Sequence, residues 1–252
     1  MLFSTLAIAS LATSAFALPD SQERLSAAPA TYIDSANTAT YLQPYAANWA
    51  GATLSRPAGT VRDVRGTFTV PTIHRPVDQP DGEYSASIWV GIDGAVCWGV
   101  SVRSGMDIVV NASGVHARGW FSADPGERMY LTSDPVHAGD RVQLRVELRD
   151  PAAGLAHGYL DNYTTKWYTN GPRTAGAPFC AQDAAWIVEN SAKDGVLVPF
   201  ADFTTVLFDE VDVMLTTGEH VGPEGARPIE MYQGRVLTDV DVKSSSIRVT
   251  YL

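Results

Sequence analysis

Apolar and polar positions alternate along most of this chain in short runs. The clearest is 141–149, where Val142, Leu144, Val146 and Leu148 interleave with Gln143, Arg145, Glu147 and Arg149. Period two is the signature of a strand with one face buried and one face wet. The same reading places strands at 61–70, 84–92, 98–102, 115–121, 158–163, 184–189, 204–215, 234–241 and 246–251. No long segment carries a 3.6-residue period, and regularly spaced strands without helices indicate an all-β sandwich or barrel. The most informative stretch is 85–107. Ala86, Ile88, Val90 and Ile92 point one way, and Ser87, Trp89, Gly91 and Asp93 the other. Asp93-Gly94 is turn chemistry. Beyond it Val100 and Val102 form a core face, and Ser101, Arg103, Gly105 and Asp107 a polar one. A hairpin with Trp, Asp and Arg gathered on one face is expected.

The 252 residues fit one large all-β domain or two small ones, and no second boundary is visible after the N-terminal region. Residues 1–17 are uncharged, have a short apolar centre and end in Ala15-Phe16-Ala17, which reads as a secretory signal. Residues 18–46, rich in Ala, Ser, Thr and Pro, read as a linker or short pro-segment, leaving a domain at 47–252. Later segments are too short to span a bilayer as a helix. The net charge of −10 argues against nucleic acid or an anionic membrane surface as partner, and it suits an acidic medium. Export makes a disulfide the default state of Cys97 and Cys180, with free structural thiols as the alternative. Asn111 and Asn162 open glycosylation sequons.

Glu189 closes the run Ala184-Ala-Trp-Ile-Val-Glu and shares a face with Ala185 and Ile187. A carboxylate at the edge of an apolar surface is a usable proton carrier, although a solvated strand-end Glu fits the pattern better. Trp89, Trp120 and Trp186 read as core residues or as a substrate-stacking surface, core being the stronger reading. His116, Arg118, Trp120 and Ser122 share a strand face. The histidines show no metal spacing. There is no G-x-S-x-G, H-E-x-x-H, P-loop or Rossmann glycine pattern, so serine hydrolase, zinc protease and nucleotide enzyme are unsupported.

Taken together, several pieces resemble the fungal glutamic peptidases, the eqolisins or peptidase G1 family. They are Asn48-Trp-Ala-Gly-Ala, Val70-Pro, Trp89-Val-Gly-Ile-Asp-Gly with Cys97 after it, and Gly105-x-Asp107. Ala138-Gly-Asp140, Ala185-Trp-Ile-Val-Glu189 and Val198-Pro-Phe-Ala-Asp-Phe203 complete the set. The resemblance implies an antiparallel β-sandwich of two bent sheets, similar to concanavalin-type lectins and glucanases, with a Cys97–Cys180 disulfide. It implies a groove on the concave sheet that takes a polypeptide. It also implies secreted acid endopeptidase chemistry by a Glu and a Gln, without metal or cofactor. The Glu falls on Glu189, as base toward water and then acid toward the leaving amine. The Gln position is Arg103 and a second acidic position is Ser122, while Asp93, Asp107, Trp89 and Trp120 match. A monomer is expected. Arg is a permanent cation with a fork of donors and no acceptor, so it could stabilise an oxyanion but could not hold a water as an amide does. Two readings therefore stand: an endopeptidase using Glu189 and Arg103, or an inactive scaffold that binds a peptide or glycan in the retained groove. A glycosidase would need two facing carboxylates, and Ser122 argues against it. Residues 18–46 hold Arg24 as their only Lys or Arg, unlike the longer basic pro-region that the resemblance implies.

Overall fold

The computed structural model describes residues 45–97, 99–131, 136–193 and 196–252. The leader at 1–17, and all of the 18–46 segment before Tyr45, lie outside the described residues. The described chain is β-structure joined by loops. Its strands run β1 (Tyr45–Ala46), β2 (Trp49–Ser55), β3 (Val61–Thr69), β4 (Tyr84–Ile92), β5 (Ser101–Asn111), β6 (Gly114–Asp124), β7 (Met129–Tyr130), β8 (Arg141–Asp150) and β9 (Leu155–Asn162). They continue with β10 (Trp167–Thr174), β11 (Asp183–Glu189), β12 (Ala192–Lys193), β13 (Val196–Leu197), β14 (Thr205–Leu215), β15 (His220–Val221), β16 (Arg227–Met231), β17 (Thr238–Val242) and β18 (Ile247–Tyr251).

Two large sheets form a sandwich. The first has the order β1-β16-β2-β11-β4-β5-β6-β7; the second has β10-β9-β8-β3-β14-β18-β17. The short β1–β16 pair is parallel and the other pairings are antiparallel. The alternating residues of β8 behave as their pattern dictates: Val142, Leu144 and Val146 are buried in the inter-sheet core beside Phe68 and Phe208. Ile88, Val90 and Ile92 of β4 enter the same core, as does Trp186, whose Nε1 donates to the Arg65 carbonyl.

The opposite face of β4 is not wet. Trp49, Trp89 and Trp120 join Ala46, Ala185, Ile187 and Ile229 in a second buried cluster on the outer face of the first sheet. This explains why every residue of β4 is buried although only alternate positions are aliphatic. The β4–β5 connection also departs from a two-residue turn. Asp93 and Gly94 do take positive φ, 65° and 99°. The loop nevertheless runs on to 100, because the Asp183 carboxylate collects the backbone N–H groups of Ala95, Val96 and Cys97. Asp93 answers across the gap by accepting from the N–H groups of Ala181, Gln182 and Asp183. The Cys97–Cys180 disulfide lies between these reciprocal clamps. β5 then extends to Asn111, well past the expected end at Val102, since it must pair with all nine residues of β4.

The sequons differ in access. Asn162 is wholly buried; its Nδ2 donates to Asp140, and its Oδ1 accepts from Thr164 and Thr165. Asn111 sits at the turn of the β5–β6 hairpin, paired with Gly114. Intact-mass and glycopeptide analysis of protein from a glycosylating host is expected to find a glycan at Asn111 and none at Asn162.

Burial gives the fold a pH signature. Desolvation holds Asp63, Asp93 and Asp161 above their ordinary value of 3.8 and Glu230 above 4.5. Carboxyls that keep their protons longer when folded make the native state bind more protons than the unfolded chain. Their contribution is complete below the unfolded values and is lost as pH rises through the raised ones. Self-repulsion of a −10 chain adds in the same direction at neutral pH. Thermal unfolding followed by circular dichroism is expected to give a higher midpoint near pH 4 than near pH 7. A midpoint that climbs over that interval would contradict the assignment.

Candidate active site

The outer face of the first sheet is read most easily in rows across the strands. In one row Trp49, Glu189, Ser87, Asp107 and Arg118 are register partners on successive strands. In the next, Gly51, Ile187, Trp89, Gly105 and Trp120 are aligned. A third holds Thr53, Ala185, Gly91, Arg103 and Ser122. Strand parity thus brings Glu189, Trp89, Asp107, Trp120, Arg103 and Ser122 to one surface, as the sequence led one to expect. Asp93 sits off the end of β4, where it orients the backbone of 181–183 and touches neither Glu189 nor Asp107.

Gly105 has a steric reason. A Cβ there would stand 2.5 Å from the Trp120 ring. Bare backbone lets that indole lie across β5 and donate its Nε1–H to Asp107 Oδ1 at 2.8 Å. Asp107 is the most heavily bonded acid of the surface. Its Oδ1 also accepts from the Ser87 hydroxyl and from Arg128 Nη1 at 2.8 Å, and its Oδ2 from the Tyr130 hydroxyl at 2.7 Å. Ser87 in turn contacts Ser191 Oγ at 2.6 Å. Burial, together with the Asp107 charge it faces, holds the Tyr130 phenol above its usual range.

Glu189 is 8% exposed. Trp89 Nε1 donates to its Oε2 at 2.8 Å and Arg128 Nη2 to the same oxygen at 3.1 Å. Among the described residues no protein group bonds Oε1. One oxygen anchors the carboxylate and the other is left for a ligand or water. Arg103, at the position expected to face Glu189, is engaged elsewhere. Its Nη2 donates to Asp124 Oδ2 at 2.6 Å, an oxygen that also accepts from Ser101, and its guanidinium lies 5.0 Å from the Trp89 ring centroid. The cation at Glu189 is Arg128, which sequence reasoning did not single out. Its guanidinium lies 4.2 Å from the Trp120 centroid. The return of β7 against β6, with Tyr130 opposite Trp120, carries it there. Asp107 and Glu189 hold the Arg128 proton more tightly than usual against the opposing effect of burial. Asp93, Cys97 and Cys180 cluster as metal ligands might, but the sulfurs are bonded to each other and the carboxylate is taken by backbone N–H groups.

A sandwich with one anchored carboxylate among tryptophans on the outer face of a sheet is the arrangement that the glutamic-peptidase resemblance implies. The chain belongs to the Peptidase A4 family, whose model matches residues 47–251. It is 31% identical over 229 residues to aspergillopepsin-2 of Aspergillus niger, covering 83% of this chain and 79% of that protein. It is 25% identical over 217 residues to scytalidopepsin B of Scytalidium lignicola, covering 81% and 78%. Among solved structures, aspergilloglutamic peptidase from Aspergillus niger superposes with a TM-score of 0.63 at 29% identity, over 67% of this chain and 99% of that one. Scytalido-glutamic peptidase with a transition state analog inhibitor gives 0.70 at 23%, over 82% and 98%. The structure of SCP-B, described as a member of the eqolisin family in a complex with the tripeptide Ala-Ile-His, gives 0.67 at 24%, over 82% and 98%.

Proposed function

We propose that this chain is a secreted acid endopeptidase acting on extended polypeptide, with Glu189 as general base and then general acid. The observation that carries this reading is the asymmetry of Glu189: Oε2 is held by Trp89 and Arg128, while Oε1 has no partner among the described residues. A carboxylate fixed in this way can take a proton from a water at Oε1 as the water oxygen attacks a scissile carbonyl carbon. It can then return that proton to the leaving nitrogen as the C–N bond breaks. No other group need carry the proton. The substrate class follows from family membership and from the solved relative holding a tripeptide. The disulfide supports export, since such bonds persist in oxidising compartments.

A second reading, a groove that binds peptide without cutting it, is favoured by one observation. Position 103 carries Arg in place of the Gln that the resemblance implies, and that Arg is tied to Asp124. Incubation with an unfolded protein at about pH 2 to 6, with new termini read by mass spectrometry, separates the two. Cleavage by wild type that is absent in Glu189→Gln supports the peptidase. Saturable peptide binding without cleavage supports the binder. Cleavage that persists in Glu189→Gln overturns the role given to Glu189.

A further inference from the structure

Resting on the peptidase reading, we propose that Arg128 is the oxyanion donor and the positioning partner of Glu189, a task the resemblance assigns to a side chain at position 103. Two independent parts of the structure lead there. The first removes Arg103 from the role. Its guanidinium is neutralised by Asp124, which also accepts from Ser101, and it is stacked on the far side of Trp89 from the Glu189 carboxylate row. The ion pair with Asp124, at 2.6 Å, and the Trp89 ring under the guanidinium fix its direction, and its buried Nε has no partner among the described residues.

The second part concerns Arg128 itself. It arrives from the segment between β6 and β7, not from β5, and lies between the two acids of the row, at 2.8 Å from Asp107 and 3.1 Å from Glu189. A guanidinium has five N–H donors in a rigid fork. Nη1 donates to Asp107 and to Ser87 at 3.2 Å, and Nη2 donates to Glu189, leaving a second N–H on Nη2, the nitrogen already at the Glu189 carboxylate. The fork cannot swing freely. Trp120 lies under it, and Trp120, Ser87 and Tyr130 all fix the aspartate that grips it. A donor held in place before charge develops is what stabilises an oxyanion efficiently.

The step balances without any other reagent. Water oxygen bonds to the carbonyl carbon, its proton passes to Glu189 Oε1, and the carbonyl oxygen takes the electron pair of the π bond beside a spare N–H of Arg128. On collapse that pair re-forms the carbonyl, the C–N bond breaks, and the Glu189 proton goes to the leaving nitrogen. Arg128 keeps its own proton throughout.

Initial rates on one quenched peptide, taken at the pH optimum of the wild type, test this with Arg128→Ala, Arg128→Lys, Arg103→Ala and Glu189→Gln. Removal of an oxyanion donor is expected to lower kcat about 100- to 1,000-fold in Arg128→Ala, with KM within about threefold. Millimolar guanidinium should restore part of that loss, and Arg128→Lys, a point cation without the fork, should fall in between. Arg103→Ala should stay within about threefold of wild type. Circular dichroism melts check folding, and Arg128→Gln, which keeps an amide donor and much of the length, replaces Arg128→Ala if the latter does not fold. Unchanged or increased kcat in Arg128→Ala, with Glu189→Gln inactive, overturns the role of Arg128 and leaves the peptidase reading standing. Loss confined to Arg103→Ala overturns it equally. Absence of cleavage by wild type removes the peptidase reading and this inference together.

Discussion

Glu189→Gln is expected to lower kcat about a thousandfold or more while leaving the fold in place. The amide has nearly the shape of the carboxylate, and its oxygen can still accept from Trp89 Nε1, which now binds Oε2 at 2.8 Å. Arg128 keeps its second anchor on Asp107. What disappears is the capacity to take a proton and give it back, and no other carboxylate of the row is free to substitute. Asp107 has both oxygens committed to Arg128, Trp120, Ser87 and Tyr130. The comparison is made on initial rates, with peptide binding followed separately by calorimetry. Retained affinity with lost turnover marks Glu189 as chemical in function, whereas parallel loss of both would mean that it only shapes the groove.

Gly51→Ala is expected to be the most damaging small substitution, by about 3–5 kcal/mol. Gly51 has a φ of 142°, in a region that L side chains rarely adopt. A Cβ there would stand 2.0 Å from the Trp186 carbonyl oxygen and 3.0 Å from the Ile187 Cα. Both obstacles are backbone of β11, which cannot rotate away as a side chain can. Relief would require β2 to peel from β11 next to Glu189, whose register partner is Trp49. For a domain stable by about 5–15 kcal/mol, such a loss is a large fraction of the total. Chemical denaturation with an unchanged m-value would report it directly. A shift under about 1 kcal/mol would show that the ladder adjusts more easily than these distances allow.

The faces of the strands were legible because parity is a local property. Alternation alone put Glu189 with Ala185 and Ile187, and Trp89 opposite the aliphatics of β4. The strands that escaped notice have physical reasons to be quiet. β2 is Ala- and Gly-rich and lacks β-branched alternation, β10 carries Gly-Pro on a sheet edge where a missing N–H is tolerated, and β16 is short and contains Pro228. Two features of the site were beyond local reading. The outer-face tryptophan cluster assembles from β2, β4 and β6, so no window of sequence contains it. Arg128 follows Asp-Pro-Gly-Glu, where periodicity gives no direction; its parity with Tyr130 was the one available hint, and it becomes meaningful only once β7 is known to fold back on Trp120. The resemblance implied the disulfide that the structure holds and pointed to Glu189, yet it could not foresee that Arg103 would be drawn to Asp124, because that pairing depends on how β5 and β6 align.

The strand carrying Glu189 is flanked by β2 on one side and β4 on the other, and β2 is flanked in turn by β16 from near the C-terminus. During synthesis, β2 and β4 therefore leave the ribosome long before the strand that must lie between them. A nascent chain presents two halves of a floor with a gap where the carboxylate belongs. The gap closes only when β11 inserts, and β16 must then cap the outer side of β2. The floor of the groove is therefore completed only late in the chain's own synthesis.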